Sequence, residues 1–210
     1  MRKILIGCEF SGRVRDAFRA HPATIDAWSC DLIPCENGGP HFQGDILAAI
    51  RGGRWDFIGL HPPCTALCVS GNHRYAAGKP GWAAREEAVA WTRALWEAAI
   101  GACKRVYLEN PQGVLGTMGG LPAPAWVQPW HYGDDASKRT GLTLHGLPPL
   151  PREPRRECPP RYVAGRPRWG NQTDSGQNRL GPSATRAAER ARTYPGVAAA
   201  MARHWAPLLG

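Results

Sequence analysis

Apolar residues in this chain come in short runs separated by charge, glycine or proline, and the first 110 residues repeat one pattern. A buried run such as Ile4-Leu5-Ile6-Gly7-Cys8 is followed by a mixed polar and apolar stretch, then by the next run. Four such runs predict strands over Lys3 to Cys8, Thr24 to Cys30, Trp55 to Leu60 and Lys104 to Leu108. Between the last two, Gly81 to Cys103 carries Ala83, Ala84, Ala88, Ala90, Leu95, Ala98 and Ala99 among charges, which predicts a crossover helix. Strands alternating with helices predict an α/β fold with a doubly wound, mostly parallel sheet of Rossmann-like type.

Beyond Gly113 the texture changes, with Gly and Pro every few residues and a further strand expected over Thr140 to Leu144 after the charged turn Asp134-Asp135. Residues 150 to 192 hold ten Arg against four acidic residues and few aliphatic ones, so an exposed, partly disordered basic segment is expected there. Tyr194-Pro195-Gly196 then opens a terminal helix over Val197 to Trp205. The division that follows is a core over 1–149, a basic Pro/Arg-rich segment over 150–192 and a C-terminal helix over 193–210 that packs back on the core.

A formal net charge of +9 favours a polyanionic partner, although many basic proteins bind no nucleic acid. No window approaches about 18 consecutive apolar residues, and Glu9 interrupts the first apolar run too early for a signal peptide, so a soluble protein is expected. Seven cysteines at irregular spacing, with no CxxC pair, suggest a reducing cytoplasm and no metal site.

In an open parallel sheet the ligand lies beyond the C-terminal strand ends, so the residues just after each strand carry the candidate chemistry. After the first comes Phe10-Ser11-Gly12, where Gly12 permits a tight turn into a helix. After the second, Asp31 stands about 20 residues beyond that turn, where an acid binds ribose hydroxyls in dinucleotide folds. Asp45 offers either a second carboxylate for an adenine amino group, with Ile46 packing on the base, or the cap of a short helix over Ile46 to Ile50. After the third strand, His61-Pro62-Pro63 stiffens the backbone ahead of the Cys64 thiol. After the fourth comes Glu109-Asn110-Pro111, so a nucleophile and a proton donor converge if the two strands are neighbours. Thr65 to Pro80 is long and irregular, as a lid over the site would be.

These residues resemble the DNA cytosine C5-methyltransferases, whose Pro-Cys motif holds the nucleophile and whose Glu-Asn motif holds the acid; Pro63-Cys64 and Glu109-Asn110-Pro111 match them. The family's first motif is similar to Phe10-Ser11-Gly12-Arg13-Val14, with Val14 in place of a second glycine, and its next two are similar to Asp31 and Gly44-Asp45-Ile46. The size and the Lys138-Arg139-Thr140 stretch are most similar to small phage- or prophage-type members, and Arg139 corresponds to the family's activating arginine.

The resemblance implies a Rossmann-like S-adenosylmethionine-dependent fold, with the cofactor held by Phe10, Ser11, Gly12, Asp31, Asp45, Ile46 and Pro62. It implies catalysis by Cys64, Glu109 and Arg139, with Pro63, Asn110 and Ser70 on the substrate, a cytosine flipped from duplex DNA or presented on a single strand. Cys64 would add to C6, Glu109 would hydrogen-bond or protonate N3, Arg139 would hold O2, and C5 would take the methyl group. Only about fifty residues remain for sequence recognition. Arg155, Arg156, Arg161, Arg166, Arg168 and Trp169 could track a backbone and stack on a base, or form a solvated face, and Gly170 to Thr173 is polar enough to touch bases. A free cytosine nucleotide, a different one-carbon unit, or a catalytically silent nucleic-acid-binding protein are the alternatives, and monomer and dimer both stay open.

Overall fold

A computed structural model describes residues 1–23, 25–181, 183 and 185–210. The strands and helices run, in chain order, as β1 (Arg2–Gly7), α1 (Arg13–Arg19), β2 (Ile25–Asp31), β3 (His41–Gln43), α2 (Ile46–Gly52) and β4 (Phe57–Leu60). They continue as α3 (Asn72–Tyr75), α4 (Trp82–Ala102), β5 (Val106–Pro111), β6 (Ala125–Val127) and β7 (Thr140–His145). The last are β8 (Arg161–Val163), β9 (Arg166–Arg168), α5 (Arg186–Ala191) and α6 (Pro195–Trp205). Seven strands form one sheet in the order β3-β2-β1-β4-β5-β7-β6. The first five are parallel, and β7 enters antiparallel beside β5 and β6. This is the expected doubly wound, Rossmann-like α/β sheet, with the order reversing at β1 and β4.

Strand pleating sends successive side chains to opposite faces, and that alternation builds two cores. Ile4, Ile6, Phe57 and Tyr107 point to the side covered by α1 and α6, where they meet Val14, Phe18, Met201 and Trp205. Leu5, Ile58, Val106 and Leu108 point to the other side, under α2 and α4, and meet Ile46, Ile50, Leu95 and Trp96. The C-terminal helix is therefore half of one core layer. Trp205, fully buried, lies 5.2 Å from the Tyr107 ring and 5.9 Å from that of Phe57, and its indole nitrogen donates to the Pro148 carbonyl at 3.0 Å. Asp134 fixes where α6 begins, accepting from Gly196 N at 3.0 Å. A side chain at Gly196 would meet Tyr132 O at 2.4 Å, so only glycine allows this approach.

Several expected boundaries shift. Thr24, expected to open the second strand, lies outside the described residues, and that strand runs on to Asp31. β5 extends through Pro111, so Glu109 and Asn110 are strand residues held by the β7 ladder rather than residues of a following loop. β3 and β6, three residues each, are too short to leave a period in the sequence.

Among its described residues the basic segment carries regular structure. β8 and β9 pair across Ala164 and Gly165, whose φ values of 48° and 73° make the primed two-residue turn that matches strand twist. The segment is also tied to the core: Trp169 stacks on Trp130 at 5.0 Å, Gly170 N donates to Asp135 at 2.6 Å, and Asn171 bridges Ser137 and the Tyr194 hydroxyl. The expected lid is likewise wound, since Cys64 to Cys68 forms one helical turn that leads through a 3₁₀ turn into α3.

Because Trp205 fills the layer between α6 and the sheet, Trp205→Ala is expected to cost about 3–5 kcal/mol of stability. Denaturant unfolding checks this, and a cost below about 1 kcal/mol would show that α6 is an appendage rather than a layer of the core.

Candidate active site

The site is built at the C-terminal edge of β1, β2, β4 and β5. β1 is followed by Cys8, whose φ of 56° is unusual for a residue with a side chain and turns the chain sharply into Glu9. Glu9 is buried and caps α1, accepting from Val14 N at 2.6 Å and Arg15 N at 3.3 Å. Burial raises its pKa, opposed by His61 and by the two backbone donors. Glu9 was not among the residues expected to carry chemistry, and its only signal was a charge placed directly after an apolar strand. Gly12 has a φ of 68°, and a side chain on it would meet the Arg15 guanidinium at 2.4 Å, so two constraints select glycine there.

Asp31 ends β2 and turns the chain by accepting from Ile33 N at 3.3 Å. Leu32 and Ile33 follow it with 73% and 50% of their surface exposed, an apolar ledge beside a carboxylate. Asp45 caps α2 through Leu47 N at 3.0 Å, and both Asp31 and Asp45 lie near enough to Cys8 to help burial push its thiol up to about 12. Two carboxylates, an apolar ledge and the Phe10–Gly12 turn therefore share one edge. Ile46 does not face that edge; it is buried in the core, where a Cβ on Gly7 would lie 2.3 Å from its side chain.

β4 and β5 bring the reactive groups together. Leu60 pairs with Leu108, so His61 and Glu109 are the next residues along neighbouring parallel strands. His61 hydrogen-bonds to the Tyr107 hydroxyl at 2.7 Å through Nε2, while its Nδ1 lies 3.7 Å from Glu109 Oε2. The Tyr107 ring reaches this place by lying across Gly59, where an added Cβ would meet it at 2.4 Å. Lys138 Nζ stands 3.7 Å from the other oxygen, Glu109 Oε1. Burial pushes the Glu109 carboxyl up, but Lys138, then His61 and Thr140, outweigh it and hold the group down at about 2. Glu109 is therefore an ionised carboxylate in the free protein.

Arg139, the expected cation, is exposed and turned to the opposite side of the β7 backbone. Its guanidinium sits 4.2 Å over the Trp126 ring and 3.5 Å from Gln112 Oε1. Successive residues entering a strand face opposite ways, so Lys138 and Thr140 reach Glu109 and Arg139 does not.

Pro62 is buried and Pro63 exposed, and the Pro62 carbonyl accepts from Asn110 Nδ2 at 3.5 Å, tying the two strand ends together. Asn110 is 5% exposed, and its Oδ1 has no hydrogen-bond partner among the described residues. Cys64 is half-buried at the head of the helical turn, where Leu67 N and Cys68 N donate to its carbonyl at 3.0 and 2.9 Å. Arg85, buried on α4, pins that turn by donating to the carbonyls of Ala66 at 2.6 Å and Cys68 at 3.3 Å. The nearby Cys68, then burial and Glu109, raise the Cys64 pKa above its ordinary value, so Cys64 holds its proton at rest. Ser70 is exposed, and its hydroxyl lies 3.0 Å from Cys68 Sγ.

A cleft of about 260 Å³ opens beside this turn, lined in part by Cys68, Ser70, Lys138, Arg139, Arg190 and Tyr194. Residues 190 to 193 border it and the Gly12 turn, through Lys138 Nζ to Arg190 O at 3.0 Å, Arg13 to Thr193 O at 3.0 Å and the Arg192–Glu36 ion pair. Among the described residues no three metal-ligating side chains gather, and no helix is long and apolar enough to cross a membrane.

No protein-family model matches this chain. No curated protein matches it either. Among solved structures it is similar to a substituted form of DNMT2 from Spodoptera frugiperda, at 14% sequence identity and a TM-score of 0.42. The match covers 69% of this chain and 50% of that one, so the chain spans about half the length of this neighbour. So distant a likeness assigns no family and no activity.

Proposed function

We propose that the protein is an S-adenosylmethionine-dependent methyltransferase that modifies C5 of cytosine in DNA. The observation that carries this reading is that Cys64, in the turn beyond β4, lies near enough to Glu109 on the adjacent parallel strand β5 for the carboxylate to raise its pKa, with Lys138 against that carboxylate. Unactivated C5 is a poor nucleophile, and a thiol adding at C6 while charge is stabilised at the N3 side is the chemistry this pair suits.

The cofactor edge offers the acceptors a nucleoside needs. Asp31 would accept from ribose hydroxyls, Leu32 and Ile33 would flank the adenine, and Asp45, although a helix cap, has a second oxygen for the adenine amino group. Phe10, Ser11, Gly12 and Pro62 would border the methionine end. S-adenosylmethionine, when bound, supplies the electrophilic methyl group.

The remaining chemistry belongs to the protein. Cys64 loses its proton to solvent, its sulfur bonds to C6, and the C5–C6 π electrons move toward C5 and N3. Glu109 accepts from the cytosine amino group as a carboxylate. As N3 becomes more basic, a proton from Lys138 or His61, each 3.7 Å from a Glu109 oxygen, passes through the carboxylate to N3. The orphaned Asn110 Oδ1 is a ready acceptor for the same amino edge. A water takes the C5 proton, Cys64 leaves as a thiolate, and return of the N3 proton through Glu109 restores the ring.

A free cytosine nucleotide is the second reading, favoured by one observation: Trp169 and Asn171, expected to meet bases, are occupied by Trp130, Ser137 and Tyr194. Arg155, Arg156 and Arg166 stay exposed and suit phosphates in either case. Transfer of tritium from labelled S-adenosylmethionine to DNA rather than to dCMP or dCTP separates the two, and label on the free nucleotide alone would refute the DNA reading.

DNA containing 5-fluorocytosine should trap a covalent adduct that survives denaturing electrophoresis and vanishes in Cys64→Ser; no adduct with duplex or single strand would sink the cytosine reading. Glu109→Gln should slow methyl transfer by roughly 10²-fold or more. Lys138→Met should slow it by at least about tenfold, since an opposite charge is worth roughly one to three pKa units at such a carboxyl. Arg139→Met should cost less than Lys138→Met, and the reverse ranking would return the activating role to Arg139.

A further inference from the structure

The cleft beside the catalytic turn lies across the ends of β5 and β7, lined by Gln112 after the first strand and by Ser137, Lys138 and Arg139 before the second. Its other walls are the turn around Ser70 and, from the C-terminal segment, residues that include Glu189, Arg190 and Tyr194. At about 260 Å³ it stands near the lower end of small-ligand sites, which run from roughly 300 Å³ upward, so it suits one nucleotide unit and excludes a duplex.

The charge of this cleft is unbalanced. Lys138, Arg139 and Arg190 line it against one acid, Glu189, whose carboxylate already accepts from the Thr185 hydroxyl at 2.7 Å. Lys138 is matched by Glu109, but Arg139 and Arg190 have no acidic partner among the described residues. Other arginines of the basic segment differ in this respect: Arg161 pairs with Asp174, and Arg192 with Glu36.

Neutral neighbours hold Arg139 in place. Its guanidinium lies 4.2 Å over the Trp126 ring, and that ring rests against β7 because its partner across the ladder is Gly141, where a Cβ would meet Pro124 at 2.9 Å and Trp126 at 3.2 Å. Gln112 Oε1, 3.5 Å away, occupies one of the five guanidinium donors and leaves the others for a ligand. A planar fork fixed over an aromatic ring keeps its full charge and has little freedom left to lose, which suits bidentate recognition of phosphate. Ser70 is exposed on another wall, and the Tyr194 hydroxyl accepts from Asn171 Nδ2 at 3.2 Å, so its own hydrogen stays available to donate.

Resting on the cytosine reading above, we propose that this cleft binds a phosphate of the target nucleotide, with Arg139 and Arg190 as its cationic ligands and Ser70 and Tyr194 as neutral donors. Lys138 joins the two sites, since it lines the cleft and stands 3.7 Å from Glu109; a base edge at Glu109 leaves its sugar and phosphate beside the arginines. Arg139 therefore holds the nucleotide by its backbone rather than by the base. The same donors suit a diester in a DNA strand and the monoester of a free nucleotide.

Binding to the full chain, measured without cofactor, tests this independently of methyl transfer. Single-stranded oligonucleotides with one cytosine are compared with versions in which the phosphate on its 5′ or its 3′ side is a neutral methylphosphonate. One of the two replacements should weaken wild-type binding by at least about tenfold, as loss of a charge-assisted contact does. That penalty should shrink in Arg139→Met and in Arg190→Met and vanish in the double variant, while Arg139→Lys, which keeps the charge without the fork, should retain part of it. For the free nucleotide, dCMP should bind at least about tenfold tighter than deoxycytidine, with the same loss in the double variant. A penalty in the oligonucleotides assigns the cleft to a phosphodiester, and one confined to dCMP assigns it to a monoester. Absence of both in wild type, or a penalty as large in the double variant as in wild type, overturns the proposal. A penalty that persists when thymine replaces the cytosine, with no adduct on 5-fluorocytosine DNA, keeps the phosphate site and refutes the cytosine reading.

Discussion

A carboxylate withdrawn from water at the edge of a parallel sheet is stable only if positive charge or hydrogen-bond donors meet it, and much of this protein is arranged around meeting that demand at Glu109. Lys138 supplies the charge, and it can do so because β7 enters antiparallel beside β5 and pairs with it through Glu109 itself. His61 approaches the second oxygen from β4. The imidazole is fixed in turn by Tyr107, whose ring rests on Gly59 and on Trp205 of the last helix. One ion therefore links the first parallel strands, the antiparallel strand and the C-terminus.

The same edge shows how a stiff scaffold presents groups that must react. Cys64 follows two prolines and heads a turn pinned by the buried Arg85, so its thiol is held in one direction without a long loop. Asn110 clips the two strand ends together through Pro62 and leaves one buried oxygen unsatisfied. A polar atom of that kind costs stability in the resting protein and gains a partner when a ligand with a donor arrives.

The basic segment also changes character once folded. Its charge suits a polyanion, yet its aromatic and amide groups are occupied inside the protein, where Trp169 closes on Trp130 and Asn171 joins Ser137 to Tyr194. What stays outside is arginine together with Tyr162, which is 71% exposed on the β8–β9 hairpin. That surface is better suited to holding phosphates than to reading bases.

Apolar runs, the glycine turn and the residues placed directly after each strand were legible in the sequence because they depend on local pattern: a period of two or 3.6, a positive φ at Gly12, a pair of prolines. That is why the α/β class, the long crossover helix and the candidates Asp31, Cys64 and Glu109 could be read from the chain alone. Lys138, His61, Tyr107, Glu9 and Arg85 could not be singled out in this way, because each matters through a neighbour distant in sequence or through the face its backbone presents. Lys138 and Arg139 are adjacent and alike in charge, and only the pleat of β7 decides that the first meets the carboxylate and the second lies on Trp126. The order of the basic segment likewise came from contacts with Trp130, Asp135 and Ser137, which no local composition encodes. Local chemistry is written in consecutive residues, but the pairing of charges is a property of the packed sheet.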